Sequence, residues 1–335
     1  MAGMPNEFVN CIVTSPPYWG LRDYGVDGQL GLEDSPEKYI ANLLDVFTAA
    51  WRILKKTGTM WLNLGDSYAG YWGDNYGMAQ GITGDRQNIG NAPPKKKSID
   101  FSKSKRNAPG PGNRWGGGNL PASGYLKPKD LCGIPWRVAL ALQASGWYLR
   151  QDIIWKKKNP MPESVKDRCS KSHEYIFLLT KSPRYYFDNA AIREPLAAST
   201  LADKRNGTGR HTQGKNYSKY YEFTNDAKPD LPSWYRSKKY VNEAAGRNRR
   251  TVWEFATRPY REAHFATFPP ELPRLCIAAG CPESGLVYDP FMGAGTTALA
   301  ALQLGRNYIG SELNAVYGEM AKKRLAGLQD QAVLI

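Results

Sequence analysis

The chain is poor in cysteine: Cys11, Cys132, Cys169, Cys276 and Cys281 are all it has in 335 residues. Their number is odd and their spacing scattered, and no second pair answers Cys276 and Cys281 at zinc-site spacing, so neither a disulfide framework nor a metal site is expected. They read as reduced thiols, mostly packing. Long apolar runs are also missing, since no stretch approaches the ~20 apolar residues of a membrane span. Met1 to Asn10 lacks the basic segment and apolar core of an export signal, so a cytoplasmic protein without membrane contact is expected. No internal repeat is evident. What the chain has in excess is positive charge, with 45 Lys and Arg against 31 Asp and Glu, a formal net charge of +14. That balance puts nucleic acid first among candidate partners, and the length allows one catalytic body with a lobe inserted.

Regular elements alternate in two blocks. Phe8 to Thr14 is an apolar strand that stops at Ser15-Pro16-Pro17-Tyr18. From Pro36 to Lys55, apolar residues recur at helical spacing, with Ser35 placed to cap, Pro36 in the first turn and Gly58 as the stop signal. Thr59 to Leu64 follows as a strand, Pro135 to Ala144 as a helix, and Tyr148 to Trp155, Glu174 to Thr180 and Tyr185 to Asp188 as strands. The last third gives a helix over Phe268 to Ala279, a strand at Leu286 to Tyr288, a helix over Thr296 to Leu304, and a strand from Tyr308 to Ser311 ending at Glu312. Strand, loop, helix, strand is the grammar of a largely parallel α/β sheet.

Two stretches break the pattern. Asp66 to Lys129 is dominated by Gly, Pro, Asn and Lys and reads as a long mobile loop. Leu196 to Arg261 is basic, with Arg205, Arg210, Lys215, Lys219, Arg236, Lys238, Lys239, Arg247, Arg249 and Arg250 interleaved with tyrosines and tryptophans. Such a lobe suits DNA, because the cations meet phosphates and base edges while the aromatics pack or stack.

Two motifs carry chemistry. Asp289-Pro290-Phe291-Met292-Gly293-Ala294-Gly295-Thr296-Thr297 lies between a strand and a helix, where glycines let the backbone turn tightly against a ligand. Glu312 follows at about the spacing from which an acid reaches ribose hydroxyls, so a nucleoside-type cofactor is expected. In Thr14-Ser15-Pro16-Pro17-Tyr18-Trp19-Gly20, the prolines have no N–H and stiffen the chain, so nearby oxygens are free to accept. An exocyclic amine held by the Ser15 side chain and the Pro16 carbonyl would have its lone pair freed for attack, with Tyr18 stacked on the base.

These two motifs, in this order, resemble the DNA amino-methyltransferases of the permuted beta class, which act on adenine N6 or cytosine N4. Ser15-Pro16-Pro17-Tyr18 matches the catalytic signature of that family, and Asp289-Pro290-Phe291 through Gly293, Gly295, Thr296 and Thr297 matches its cofactor signature. His264 to Pro269, Trp155 to Pro162 and Ser172-His173-Glu174 resemble other family segments. The resemblance implies a Rossmann-like methyltransferase fold: a mixed, mostly parallel sheet with helices on both faces and an inserted target-recognition lobe. It also implies S-adenosyl-L-methionine as cofactor, held by Asp289, Pro290, Phe291, Gly293, Gly295, Thr296, Thr297, Glu312 and Thr267, and double-stranded DNA as partner. Methyl transfer is then a direct displacement that needs neither a metal nor a cysteine nucleophile.

The expected division is a catalytic-motif half at 1–65, the mobile loop at 66–129, a continuation of the methyltransferase domain at 130–195, the recognition lobe at 196–261 and the cofactor half at 262–335. Relatives are expected to carry an acidic segment and a helix before the first strand, whereas Phe8 opens that strand here almost at once. Either the chain starts late, or another segment closes that side of the pocket. Ser15 leans toward cytosine, since adenine enzymes of the family often have Asp there. A homodimer is compatible with the reading, which says nothing of a companion endonuclease. RNA and protein-glutamine methyltransferases usually carry Asn first and place the cofactor motif ahead of the catalytic one. A dinucleotide oxidoreductase would leave Ser15 to Tyr18 idle, and an inactive DNA-binding module would not need both motifs.

Overall fold

The computed structural model describes residues 1, 3–69, 125–127, 129–196, 246–257 and 268–326. The chain divides into two compact units, Met1–Tyr186 with Val252–Ile335, and Phe187–Thr251.

The first unit is built on one seven-stranded sheet. Its elements run β1 (Val9–Thr14), α1 (Pro36–Ile53), β2 (Leu54–Leu64), α2 (Ile134–Ala144), β3 (Tyr148–Lys157), β4 (His173–Thr180), β5 (Val252–Phe255), α3 (Glu271–Gly280), β6 (Leu286–Asp289), α4 (Thr296–Gln303), β7 (Asn307–Gly310) and α5 (Ala315–Ala326). The strand order is β5-β3-β4-β2-β1-β6-β7. β4 runs antiparallel to β2 and β3, and every other pairing is parallel. From β1 the chain goes to β2 on one side and, much later, β6 takes the other side. The sheet therefore changes direction between β1 and β6, and ligands of open α/β sheets bind beside the carboxyl ends of the strands at such a point.

Alternation along β2 shows helices on both faces. Met60, Leu62 and Leu64 share a core with Tyr39, Leu43 and Phe47 of α1 and Val138 and Leu142 of α2. The opposite set faces α3, where the Thr59 hydroxyl donates to the Gly280 carbonyl at 3.0 Å. The Ser35 side chain caps α1 by accepting from the Lys38 N–H at 3.3 Å, and Pro36 sits in the first turn, as the sequence suggests. Four of the five cysteines are buried, and burial pushes the Cys11, Cys132, Cys276 and Cys281 thiols up, which suits packing rather than reactivity. Among the described residues no helix is long and apolar enough to cross a membrane.

Several boundaries differ from the sequence expectation. Gly58 does not stop α1, which ends at Ile53 and passes directly into β2. The β1–β2 register jumps from Val9–Leu54 to Cys11–Thr59, and Gly58 lies in that excursion, where a Cβ would stand 2.6 Å from the Leu54 side chain. Tyr185 to Asp188 forms no strand, because β5 takes the sheet edge beside β3 and the Tyr186 N–H goes instead to the Thr57 carbonyl. β5 in turn lies within 196–261, the span read as the lobe, yet it pairs in the sheet of the first unit. The helix expected from Phe268 begins at Glu271. α5, for which the sequence reading assigns nothing, buries only Ala321 and Leu325.

The ends of the 66–129 stretch are tied. Tyr68 bridges Leu131, and the Asp66 carboxylate accepts from the Gly133 and Ile134 N–H groups at the start of α2. In the second unit, Glu194 and Arg247 exchange backbone hydrogen bonds of 2.9 and 2.8 Å, and the Asn189 amide donates to the Asn248 side chain at 2.8 Å.

Two glycines test the packing of the first unit. At Gly280 a Cβ would stand 2.3 Å from Thr59 Oγ1 and 2.5 Å from Trp61 Nε1, whereas at Gly318 on α5 it meets nothing within 4 Å. Gly280→Ala is expected to destabilise by roughly 1–3 kcal/mol through overpacking. Gly318→Ala is expected to stabilise by up to ~1 kcal/mol through helix propensity. Urea unfolding of both variants checks the contrast.

Candidate functional site

The two sequence motifs come together at the point where the sheet changes direction. Thr14 ends β1 and Asp289 ends β6, and the Thr14 hydroxyl donates to Asp289 Oδ1 at 2.6 Å. Thr297, in the first turn of α4, donates to Asp289 Oδ2 at 2.7 Å, and the Phe291 N–H donates to Oδ1 at 3.0 Å. All three donors are neutral, and burial raises the Asp289 carboxyl to about 6. The result is a buried acid with no cation beside it among its bonded partners, an environment that favours a positively charged ligand.

The next loop is fixed by Glu312 after β7. Its Oε2 accepts from the Gly293 N–H at 2.7 Å and its Oε1 from the Asn314 N–H at 2.8 Å. Each carboxylate oxygen keeps a second lone pair for a further donor. Gly295 has φ +76, and a Cβ there would stand 3.1 Å from Ala321, so this glycine lets α5 approach. Thr296 turns its hydroxyl to Arg324 of α5, which donates at 3.0 Å. Pro290 is buried and Phe291 packs against the main core. Of the residues expected to hold a cofactor, Thr296 and Gly295 are thus engaged with α5, Asp289, Phe291, Gly293, Thr297 and Glu312 frame the loop, and Thr267 lies outside the described residues.

Across the switch point, the loop after β1 is held by its own contacts. The Tyr39 hydroxyl donates to the Pro17 carbonyl at 2.8 Å, while among the described residues no donor is bonded to the Pro16 carbonyl. Tyr18 is half-buried, with its ring against Gly65, where a Cβ would come within 2.5 Å of the ring. Its hydroxyl donates to Glu174 Oε2 at 2.6 Å and lies 3.2 Å from Asn63 Oδ1, and the Ser15 hydroxyl donates to it at 3.3 Å. Asn63 donates from its amide nitrogen to Glu174 at 3.2 Å and to the Tyr175 carbonyl at 3.1 Å. Lys157 closes the group with Nζ 2.6 Å from Glu174 Oε1. Burial, with the Glu174 charge and hydrogen bond, pushes the Tyr18 phenol well above its usual range, so it stays a donor.

Sequence reasoning singled out Ser15 to Tyr18 but assigned no role to Thr14, Asn63, Lys157 or Glu174. A signal was there for two of them: Asn63 interrupts the apolar run Met60 to Leu64 and Glu174 sits just before the apolar run Tyr175 to Leu179, and a buried polar group needs a partner.

Of the cations expected on DNA, Arg205, Arg210, Lys215, Lys219, Arg236, Lys238 and Lys239 lie outside the described residues. The other three converge on one acid of the second unit. Arg247 and Arg250 approach Glu194 Oε2 at 3.2 and 3.3 Å, and Arg249 approaches Oε1 at 4.0 Å. Arg249 also donates to the Ile192 carbonyl at 2.8 Å. Arg247 and Arg249 are partly buried in this cluster, whereas the Arg250 side chain is 69% exposed.

Comparison with known proteins gives the family and the fold. The chain is 40% identical over 326 residues to the type II methyltransferase M.SmaI of Serratia marcescens, covering 96% of this chain and 86% of that protein. It is 41% identical over 332 residues to M.Cfr9I of Citrobacter freundii, covering 99% and 86%. Among solved structures, the fold is similar to PvuII DNA methyltransferase, described as cytosine-N4-specific, with a TM-score of 0.54 at 15% identity over 96% of this chain and 81% of that one. It is also similar to a DNA modification methylase of Thermus thermophilus in complex with S-adenosyl-L-methionine, with a TM-score of 0.50 at 19% identity over 97% and 88%. The DNA methylase family model matches residues 9–323, taking in both loops and every strand of the sheet, and the chain therefore belongs to the DNA methylase family.

Proposed function

We propose that this DNA methylase uses S-adenosyl-L-methionine to methylate the exocyclic amine of a base flipped out of double-stranded DNA, with cytosine N4 as the target. The observation that carries the reading is the Thr14–Asp289 bond, which joins the amine-accepting loop to an acid suited to a cation. When bound, S-adenosyl-L-methionine would supply an electrophilic methyl on a sulfonium sulfur, with the sulfur as the leaving group and solvent as the destination of the proton that the amine gives up.

The chain's residues then divide the work. Asp289 faces the positive charge of the cofactor, Glu312 offers its remaining lone pairs to ribose hydroxyls, and Phe291, Pro290, Gly293 and Thr297 shape the loop between them. Ser15 Oγ and the Pro16 carbonyl accept the two amine hydrogens, aiming the nitrogen lone pair, and Tyr18 covers the base face. Serine at the first position of the motif supports cytosine over adenine within the family. Arg250 and the cations of the basic stretch serve DNA phosphates, while Arg247 and Arg249, paired with Glu194, act mainly to hold the base of the lobe.

Purified protein incubated with S-adenosyl-L-methionine and unmethylated bacterial DNA, digested to nucleosides, is expected to yield N4-methylcytosine by mass spectrometry. N6-methyladenine instead would reverse the base assignment, and neither base would sink the reading.

Ionisation of Asp289 gives a second test. A carboxyl raised to about 6 costs the ligand-free fold stability as pH climbs through that value, and a bound cation relieves the cost. Cofactor affinity is therefore expected to fall as pH drops below about 6, by up to ~tenfold per unit, since the cation binds the ionised form. Asp289→Asn should bind at least ~tenfold more weakly at pH 7.5, a loss of about 1.4 kcal/mol, and show a flat profile. Calorimetric titration between pH 5 and 7.5 checks both.

A further inference from the structure

Tyr18 has one hydroxyl hydrogen and two acceptors within reach. Glu174 Oε2 stands at 2.6 Å and Asn63 Oδ1 at 3.2 Å, and the shorter, charge-assisted bond takes the hydrogen. Asn63 cannot turn its nitrogen to Tyr18, because that nitrogen is held by the Tyr175 carbonyl at 3.1 Å and by Glu174 at 3.2 Å. The tyrosine oxygen is then left as an acceptor, and the Ser15 hydroxyl donates into it at 3.3 Å. Every hydrogen in the chain Ser15, Tyr18, Glu174 points toward the carboxylate.

We infer that Glu174 is a positioning residue for Ser15: acting through the Tyr18 hydroxyl, it holds the serine hydrogen away from the target, so that Oγ meets the amine with lone pairs only. The inference rests on the proposed amine chemistry. A hydroxyl free to rotate would spend part of its time presenting a hydrogen to an amine that can only be held by acceptors. Glu174 is suited to anchor such a chain. Its side chain is 10% exposed, so its bonds are little weakened by water, and Lys157 at 2.6 Å from the other oxygen keeps the carboxylate oriented. The reversed direction of β4 brings this acid to the edge of the sheet where β1 ends, since Glu174 is the second residue of its strand.

The test is a double-mutant cycle on the full chain, using Glu174→Gln and Tyr18→Phe. With its carbonyl drawn to Lys157, the introduced glutamine would present its amide N–H groups to Tyr18 and to the Asn63 nitrogen, replacing the terminal acceptor with a donor. Tyr18→Phe keeps the ring that covers the base and removes only the link. Each single change is expected to lower kcat by roughly ten- to hundredfold, the scale of one mis-set buried hydrogen bond. KM for DNA and Kd for S-adenosyl-L-methionine should move by less than about threefold. The double variant should be no slower than the slower single one, because Glu174 then has no hydroxyl to act through. Losses that multiply, an unchanged kcat in Glu174→Gln, or a loss confined to KM would overturn the inference. If Glu174→Gln does not fold, Glu174→Met with Lys157→Met removes both charges together and enters the same cycle. Wild-type protein run alongside separates the two levels: no methylated base from it defeats the proposed function, whereas an active wild type with multiplying losses defeats only the role of Glu174.

Discussion

The bond between Thr14 and Asp289 is the constraint around which this fold is arranged. It joins the ends of the neighbouring strands β1 and β6, where the sheet is built outward in both directions, and both partners are buried. A carboxylate in that position needs donors from every side, and the chain supplies them from β1, from the loop after β6 and from α4. None of these donors carries charge, so the acid is satisfied in hydrogen bonds but not in electrostatics. Burial without a neighbouring positive charge is what raises this carboxyl to about 6.

The opposite half of the site follows a contrary rule. Glu174 already has its cation in Lys157, and its free lone pairs are spent on Tyr18 and Asn63. One acid is left open and the other is closed, and they flank the loop from Ser15 to Tyr18. The open acid belongs to parallel strands and stands at a strand end. The closed one comes from the single reversed strand and stands at a strand start.

Much of this was legible in the sequence because the relevant signals are local. Ser35 and Pro36 announce a helix start, paired prolines announce a stiff loop, and closely spaced glycines between a strand and a helix announce a ligand turn. The order of the two motifs carried the family. What escaped the sequence depends on neighbours in space. Gly58 looks like a helix stop until the register jump between β1 and β2 shows that a side chain there would strike Leu54. The contacts of Thr296 and Gly295 with α5 show only when Arg324 and Ala321 are placed beside them. The pairing of Arg247 and Arg249 with Glu194 likewise shows only in space. Glu174, quoted in a family segment without a role, gains one only when β4 is found running backward beside β2.

The strand order also governs when the protein becomes competent during its synthesis. β1 precedes the other strands in the chain, yet its place in the sheet lies between β2 and β6, and Thr14 must wait across 275 residues for Asp289. Contacts so distant in sequence form late and slowly, since the loop they close must be ordered before they repay it. A nascent chain can pair β1 with β2 and cover them with α1, but it cannot assemble the acid that favours a cation until the last strands have emerged. A chain ended before β6 therefore carries the Ser15–Tyr18 loop without the Asp289 half of the site, and the two halves meet only once β6 and α4 have been made.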